Sequence, residues 1–465
     1  MLAACWTMLS WTDEADKNTK KPFTELTTKY VPTYKEQHKK QWTFFVYMAA
    51  DNDLDIFATR NIEQMKQIGS DDNINIIVHY HSHKKGDTKK SQRLLIKKNQ
   101  IIRIGDDAPA DSGSAETLTE GVHWAIDNFP SDHLAIVLWN HGSGDLNPFN
   151  RNSLNPSRLF FYNHKTQKIE LDRSMNFSEF VQATEESNQR GVCFDESTGN
   201  YLNDQRLEKA LKSIVSHRGK VIDVLLFDAC LMAGIGTAHI THEYADYMGA
   251  SQEVVLGPGY NYKLLLHHMA NLQPNPRDLT ELTALCYDAT YNRITNDYTH
   301  SALDLAQYTP FNKNVNTVAK LLTKALKKQK NSSVRRLLRE SRSRAHCTYF
   351  DEPTYIDLDN LYANLLHNLN TIELDSHDRT IKIQKKLRKA LSEGLELRKK
   401  LIFSNVAGRN FRHAYGISIY FPDRIMHRSF PHTEFAKQNE WLTFLKEYLG
   451  TRNEHKEQST QDHLH

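Results

Sequence analysis

No stretch of about 18 consecutive apolar residues occurs in the chain, which excludes a membrane-spanning helix. There is no surplus of charge of either sign. The formal net charge is +3, too small to imply a nucleic-acid partner. Cysteine is scarce: Cys5, Cys193, Cys230, Cys286 and Cys347 are odd in number, widely scattered and never spaced Cys-x-x-Cys. That pattern argues against a disulfide framework and against a zinc site. No Gly-x-Ser-x-Gly elbow is present, so a serine hydrolase of that kind is not indicated. Internal repeats are also missing.

What is present is a soluble globular balance over 465 residues, with 39% hydrophobic and 25% charged side chains. That length suits about two to three domains, or one large domain with an annex. Four short apolar blocks punctuate the first 260 residues: Trp42–Met48, Ile74–Tyr80, Leu134–Trp139 and Val221–Phe227. Continuous β-branched and aromatic runs of this kind predict strands buried on both faces of a parallel sheet. Between them, 116–129 carries Leu118, Val122, Ala125 and Phe129 at helical spacing, and 203–217 carries Leu207, Leu211 and Ile214 behind an Asn203 or Asp204 cap. Strands alternating with helices predict an α/β doubly wound sheet, whose ligands bind beyond the carboxyl ends of the strands.

The rest of the chain divides around this core. Residues 1–40 are polar and aperiodic and read as a leader or tether, with "MLAAC" matching a lipoprotein cleavage site that lacks its apolar run. The catalytic-type core is expected over 41–265, interrupted by a polar insertion at 145–190. From 266 to 450 the pattern is helical, over 278–294, 314–328, 333–343, 357–369 and 378–402, with a late strand at 415–422. The basic run Arg335–Arg344 reads as a solvated helix face, and 451–465 as a disordered tail.

The chemistry gathers at two strand ends. "LAIVLWNHGSG" places His141 and Gly142 directly after the third block, and "VLLFDAC" places Cys230 directly after the fourth. If the strands are neighbours, both side chains face one cleft. A cysteine nucleophile needs access and thiolate character, and a helix starting in "LMAGIGTAHI" would supply both positive potential and N–H donors. A nearby histidine can protonate a leaving amine. A small core cysteine and a turn histidine are the ordinary alternatives. Their pairing at two strand ends of one α/β chain favours catalysis over both.

These boxes carry a resemblance. "WNHGSG" and "LLFDACLMAG" are similar to the His-Gly and Cys boxes of the clostripain family, caspase-like cysteine peptidases of bacteria and some other microbes. "WTFFVYMAADNDLD", "GVCFDESTGNYL", "ASQEVVLGPGYNY", "SALDL" and "YGISIYFP" resemble further segments of that family, so the likeness spans about residues 42–422. It implies a caspase-like α/β/α sandwich with a mostly parallel sheet and a helical C-terminal part. It implies Cys230 as nucleophile, His141 as general acid/base, and an oxyanion hole from the Gly142 and Cys230 backbone. It implies protein or peptide substrates cut after Arg or Lys, with Asp228 as the acid that pairs the substrate cation and Glu253, beside Gln252, as a second.

Family habit further implies self-cleavage at a basic residue between the two boxes, where Arg151, Arg158, Lys165, Lys168, Arg173 and Arg190 stand. The protein is then a monomer, or two associated chains after cleavage, and is secreted or lipid-anchored at the bacterial envelope, with a cytoplasmic place as the alternative. Calcium is left open as a cofactor, because some relatives require it. "DNDLD" (51–55) lacks the spacing and trailing Glu of a calcium loop and reads as the turn after the first strand. The competing readings are a catalytically silent binding module and a caspase-like peptidase of Asp or Asn specificity.

Overall fold

The apolar blocks lie at the centre of one sheet in a computed structural model of the chain. It describes residues 28–82, 90–144, 160–171, 191–328, 332–351, 353–371 and 378–450. Cys5, Arg151, Arg158, Arg173, Arg190 and the 451–465 tail therefore lie outside the described residues.

Ten strands make the sheet: β1 (Thr28–Val31), β2 (Lys40–Ala50), β3 (Ile74–Ser82), β4 (Lys90–Lys97), β5 (Gln100–Ala108), β6 (Ser131–Trp139), β7 (Ile222–Asp228), β8 (Ala245–Ala250), β9 (Thr299–Asp304) and β10 (Ile402–Ala407). Their order in space is β1-β5-β4-β3-β2-β6-β7-β8-β9-β10. The central strands β3, β2, β6, β7 and β8 are parallel, and only β4 and β9 run against the rest. The order also divides cleanly. Every strand on the β6 side precedes residue 140, and every strand on the β7 side follows residue 221.

Each central strand feeds two cores, because successive side chains point to opposite faces. In β2, Phe45, Tyr47 and Ala49 join one core while Trp42, Phe44, Val46 and Met48 join the other. Leu134, Ile136 and Leu138 of β6 separate from Ala135, Val137 and Trp139 in the same way. Both faces are covered, so both sets are apolar and the strands read as unbroken runs.

The covering helices are α1 (Asp55–Ile68), α2 (Ala115–Asn128), α3 (Asp204–Arg218), α4 (Ile235–Thr241), α5 (Tyr262–Leu272) and α6 (Pro276–Tyr291). Leu118 of α2, Leu207 of α3 and Ile235 of α4 pack into the first core, and Ile62, Leu265 and Leu279 of α1, α5 and α6 into the second. The expected α/β/α sandwich is thus present. Its helices start where the sequence supplies caps. Ser114 accepts the Thr117 N–H at 3.1 Å, and Asn203 accepts the Arg206 N–H at 2.8 Å.

Three boundaries differ from expectation. Residues 28–40 join the fold instead of a tether, since β1 pairs parallel with β5 and the Glu36 N–H reaches the Asn128 carbonyl at 2.8 Å. No domain boundary falls at 265, because β9 and β10 complete the same sheet. The late strand is short, Ser418–Tyr420, and pairs antiparallel with Tyr355–Asp357 away from the main sheet. The C-terminal helices α7 (Tyr308–Lys328), α8 (Ser332–Ser341), α9 (Leu358–Thr371) and α10 (Asp378–Leu401) pack mainly into the first core. Part of the basic run turns inward: Arg342 is buried and donates to the Phe421 carbonyl at 2.7 Å.

The register positions the site. Trp139 sits opposite Met48 on one side and Asp228 on the other. The carboxyl ends of β2, β6 and β7 are therefore level, and the turns that follow them emerge together.

Candidate active site

Asn140 ties the three turns to one another. Its N–H donates to the Asp228 carbonyl at 3.3 Å, and its side-chain oxygen accepts the Phe194 N–H at 2.8 Å. Its amide donates to the Ala49 carbonyl and, at 3.2 Å, to that of Phe194. His141 follows, half-buried, with Nε2 2.7 Å from Oδ1 of Asp53. Gly142 then runs against the nucleophile's own backbone. A Cβ there would lie 2.4 Å from the Cys230 carbonyl oxygen and 3.0 Å from Met232 Cγ. Only glycine lets the two turns approach this closely. Among the described residues, no hydrogen bond takes up the N–H of Gly142 or of Cys230.

A Gly142→Ala change must therefore push the Cys230 turn away. Overpacking against backbone costs about 1–3 kcal/mol. The expected outcome is a lower melting temperature together with reduced turnover. Melting curves and initial rates measure both, and a variant unchanged in both would remove the steric argument.

Cys230 still reaches solvent, but its surroundings are largely protein. Burial pushes the thiol up to about 12, and the carboxyls of Glu253, Asp351 and Asp228 add to the rise. The Val255 N–H, 3.3 Å from Sγ, opposes it. The expected helix N-terminus is not at the thiol. Leu231 turns the chain with φ +62, an uncommon conformation for a non-glycine residue, and α4 starts only at Ile235. The 231–234 segment goes into backbone bonds instead, with the Leu231 and Ala233 N–H groups donating to the Glu253 and Ser251 carbonyls at 3.3 and 2.8 Å. Sγ and the His141 ring share no hydrogen bond among the described residues.

An apolar cluster of Leu171, Val254 and Phe160 packs on Cys230. Phe160 and Leu171 belong to a hairpin, Phe160–Asn163 with Lys168–Leu171, inside the 145–190 insertion. The hairpin is anchored on the far side. The Ile169 N–H donates to the Ile294 carbonyl at 2.8 Å, and Lys168 Nζ donates to Asn292 O and Asn296 Oδ1 at 3.0 and 2.7 Å. Lys165 sits exposed in its turn.

The two expected substrate-binding acids occupy different settings. Asp228 is 4% exposed and accepts the Tyr260 N–H at 3.0 and 3.1 Å and the Tyr262 hydroxyl at 2.9 Å. Gly259, at φ +62, presses on it; a Cβ there would lie 2.5 Å from both carboxyl oxygens. Burial lifts Asp228 to about 7 although the tyrosine donors favour the anion. Glu253 is fully buried and accepts the N–H of Val254 at 2.7 Å and of Asp351 at 3.0 and 3.1 Å. Gln252 holds Asp357 Oδ2 and the Gly416 N–H at 3.0 and 2.9 Å. Glu253 and Gln252 thus pin the 351–357 and 416 segments, while Asp228 sits in a tyrosine cage behind the nucleophile.

The acids of 51–55 do not form a cation cage. Asp51 accepts the Ser197 hydroxyl at 2.7 Å, Asp53 binds His141, and Asp55 accepts the Tyr80 hydroxyl. Among the described residues no three His, Cys, Asp or Glu side chains converge as metal ligands. The three acids of the turn are thus each engaged elsewhere rather than gathered around one cation position. Sequence reasoning missed Asp53 and Val255. The only available signal for Asp53 was an acid just past the end of an apolar run.

A sequence model described as the clostripain family matches residues 46–163 and 177–451. Clostripain from Hathewaya histolytica is 26% identical over 258 residues, which cover 47% of this chain and 40% of that protein. The match therefore spans less than half of that relative. Two solved structures align over nearly their whole length. A secreted C11 cysteine protease from Bacteroides thetaiotaomicron, bound to an irreversible peptide inhibitor, is 19% identical with a TM-score of 0.54, covering 87% of this chain and 99% of that one. An inactive zymogen C11 protease from Parabacteroides distasonis is 17% identical with a TM-score of 0.52, covering 88% and 99%. At these identities the likeness shows a shared fold.

Proposed function

The chain belongs to the clostripain family of cysteine peptidases, and from that premise we propose that it is an endopeptidase cutting after arginine or lysine through Cys230 and His141. The observation that carries this reading is the contact of Gly142 with the Cys230 carbonyl, which seats the histidine turn on the cysteine turn at the level ends of β6 and β7.

In the reaction, His141 takes the Sγ proton and the thiolate attacks the scissile carbonyl carbon. The C–S bond forms, and the oxygen takes up the electron pair and is held by the Gly142 and Cys230 N–H groups. His141 then gives its proton to the leaving nitrogen, the C–N bond breaks, and an acyl-enzyme remains. Water, deprotonated by His141, attacks the thioester and releases the acid and the thiol. Asp228 supplies the anion for an Arg or Lys side chain, and pairing there offsets its burial.

The hairpin of the insertion lies over the thiol, so we place maturation in a cut within 145–190. Lys165, exposed in the hairpin turn, is one accessible target among the described residues. Since the similar Bacteroides thetaiotaomicron protease is a secreted one, we also place the enzyme's work outside the cytoplasm.

The test is hydrolysis of fluorogenic peptides ending in Arg, Lys, Asp or Asn, by wild type and Cys230→Ala in parallel, with denaturing gels of both over time. Turnover on Arg and Lys alone, with one cut in the wild type and none in the mutant, is the expected result. Turnover on Asp or Asn would replace the specificity. Silence on every peptide after proteolytic nicking would replace the peptidase with a binding module.

A further inference from the structure

The side-chain hydrogen bond of His141 is made with an acid that the His–Cys pair does not require. Asp53 stands just past the end of β2, the strand paired with β6, and its Oδ1 lies 2.7 Å from His141 Nε2. Both side chains are sheltered, 18% and 28% exposed. The other carboxyl oxygen of Asp53 is buried with no partner among the described residues. A buried oxygen left without a donor is costly, so a carboxylate kept there needs a reason beyond packing.

The turn is built to hold it. The Asn52 side chain donates to the Ala49 and Phe194 carbonyls at 3.0 and 2.8 Å and accepts the Leu54 N–H at 3.0 Å. Asp53 is thereby clamped between two fixed neighbours, immediately before α1.

We infer that Asp53 is the positioning residue of His141: it accepts the Nε2–H, selects that tautomer, and leaves Nδ1 as the basic nitrogen for the Cys230 proton. A ring nitrogen bound to a carboxylate is the protonated one, and the other then carries the lone pair. When His141 takes the thiol proton, the imidazolium forms beside an anion at hydrogen-bond distance, and the charge is stabilised where it develops. The remaining ionisable groups at the site, the carboxyls of Asp228, Glu253 and Asp351, act on the thiol and oppose its ionisation. Asp53 is the one acid in the turn that favours proton transfer.

This inference rests on His141 carrying the proton, so its test must separate the two. The rate of Cys230 alkylation by iodoacetamide needs no substrate, and the other described cysteines are buried. Wild type, Asp53→Asn, His141→Ala and the double variant are compared at pH 7, by alkylation and by kcat and KM on the preferred peptide. Asp53→Asn replaces a charge-assisted hydrogen bond by a neutral one, so it is expected to slow alkylation about tenfold or more. The kcat should fall at least as far with KM little changed, and Asp53→Glu should restore part of it. In the His141→Ala background the same Asp53→Asn change should add nothing, because Asp53 acts only through the ring. Alkylation and kcat equal to wild type, or an equal loss in the His141→Ala background, would overturn the inference. If wild type cleaves no peptide, the function reading fails by itself, and the alkylation comparison still decides the role of Asp53.

Discussion

Replacing His141 with alanine is expected to lower kcat/KM at pH 7 by about four orders of magnitude, the scale at which a proton carrier is removed from a nucleophile pair. The reason lies in the thiol. Burial and three nearby carboxyls push Cys230 up, so without a base the thiolate is scarce at pH 7. The Val255 N–H is too small a counterweight. The variant should also change its pH behaviour. With solvent as the only base, its residual rate should climb about tenfold per pH unit across the neutral range. Initial rates from pH 6 to 9 measure both effects. A loss under tenfold, or a flat profile, would mean that another group accepts the proton.

Asp228→Asn should have the next largest effect, and it should separate recognition from stability. Loss of a buried partner for a substrate cation costs about 3–5 kcal/mol, so kcat/KM on Arg and Lys peptides is expected to fall by about a thousandfold. The folded protein should not suffer equally. Asp228 is raised to about 7 by burial, above the value of 3.8 for a free aspartate. Between those values the folded chain holds a proton that the unfolded chain has released. The resulting stability is complete below 3.8, declines as pH rises, and is lost through 7. At pH 8 the wild type must bury the charge, and asparagine removes that cost while keeping an acceptor for the Tyr260 N–H. Melting temperatures at pH 5 and pH 8 should therefore differ more for wild type than for the variant. Wild-type turnover on Arg peptides should fall as pH drops through 7. A variant that keeps Arg turnover within tenfold would place the selecting acid elsewhere.

The strands at the centre were legible because their burial is two-sided. Trp42–Met48 and Leu134–Trp139 serve a different core on alternate residues, yet every position is apolar, so the run itself is the signal. The strands outside the four apolar runs lack it. β4 carries Lys90, Gln92 and Arg93, β8 is Ala-Asp-Tyr-Met-Gly-Ala, and β10 follows α10 without a punctuating residue. Their place in the sheet is decided by backbone pairing, which no periodicity reports. The same limit applied at the site. His141 and Cys230 stood at the ends of visible runs. Asp53 gains its meaning from β2 lying beside β6, a fact of register. The helix expected at Cys230 starts late because the positive φ of Leu231 and the bonds of Leu231 and Ala233 to 251–253 use the intervening residues.

The division of the sheet at β6 and β7 has a consequence for how the molecule is assembled. A backbone opened between Gly142 and Ile222 yields two polypeptides, one ending its sheet at β6 and the other beginning at β7. Asp53 and His141 travel with the first and Cys230 with the second, so neither piece is a complete catalyst. Their joint is the middle of the sheet, Ala135 to Trp139 against Val224 to Asp228, with a core on each face. Separating them is equivalent to unfolding both. Opening the chain would thus convert a unimolecular folding reaction into a bimolecular association. The nicked protein would melt at a temperature that depends on its concentration, and recovery from denaturant would follow second-order kinetics. The intact chain would do neither.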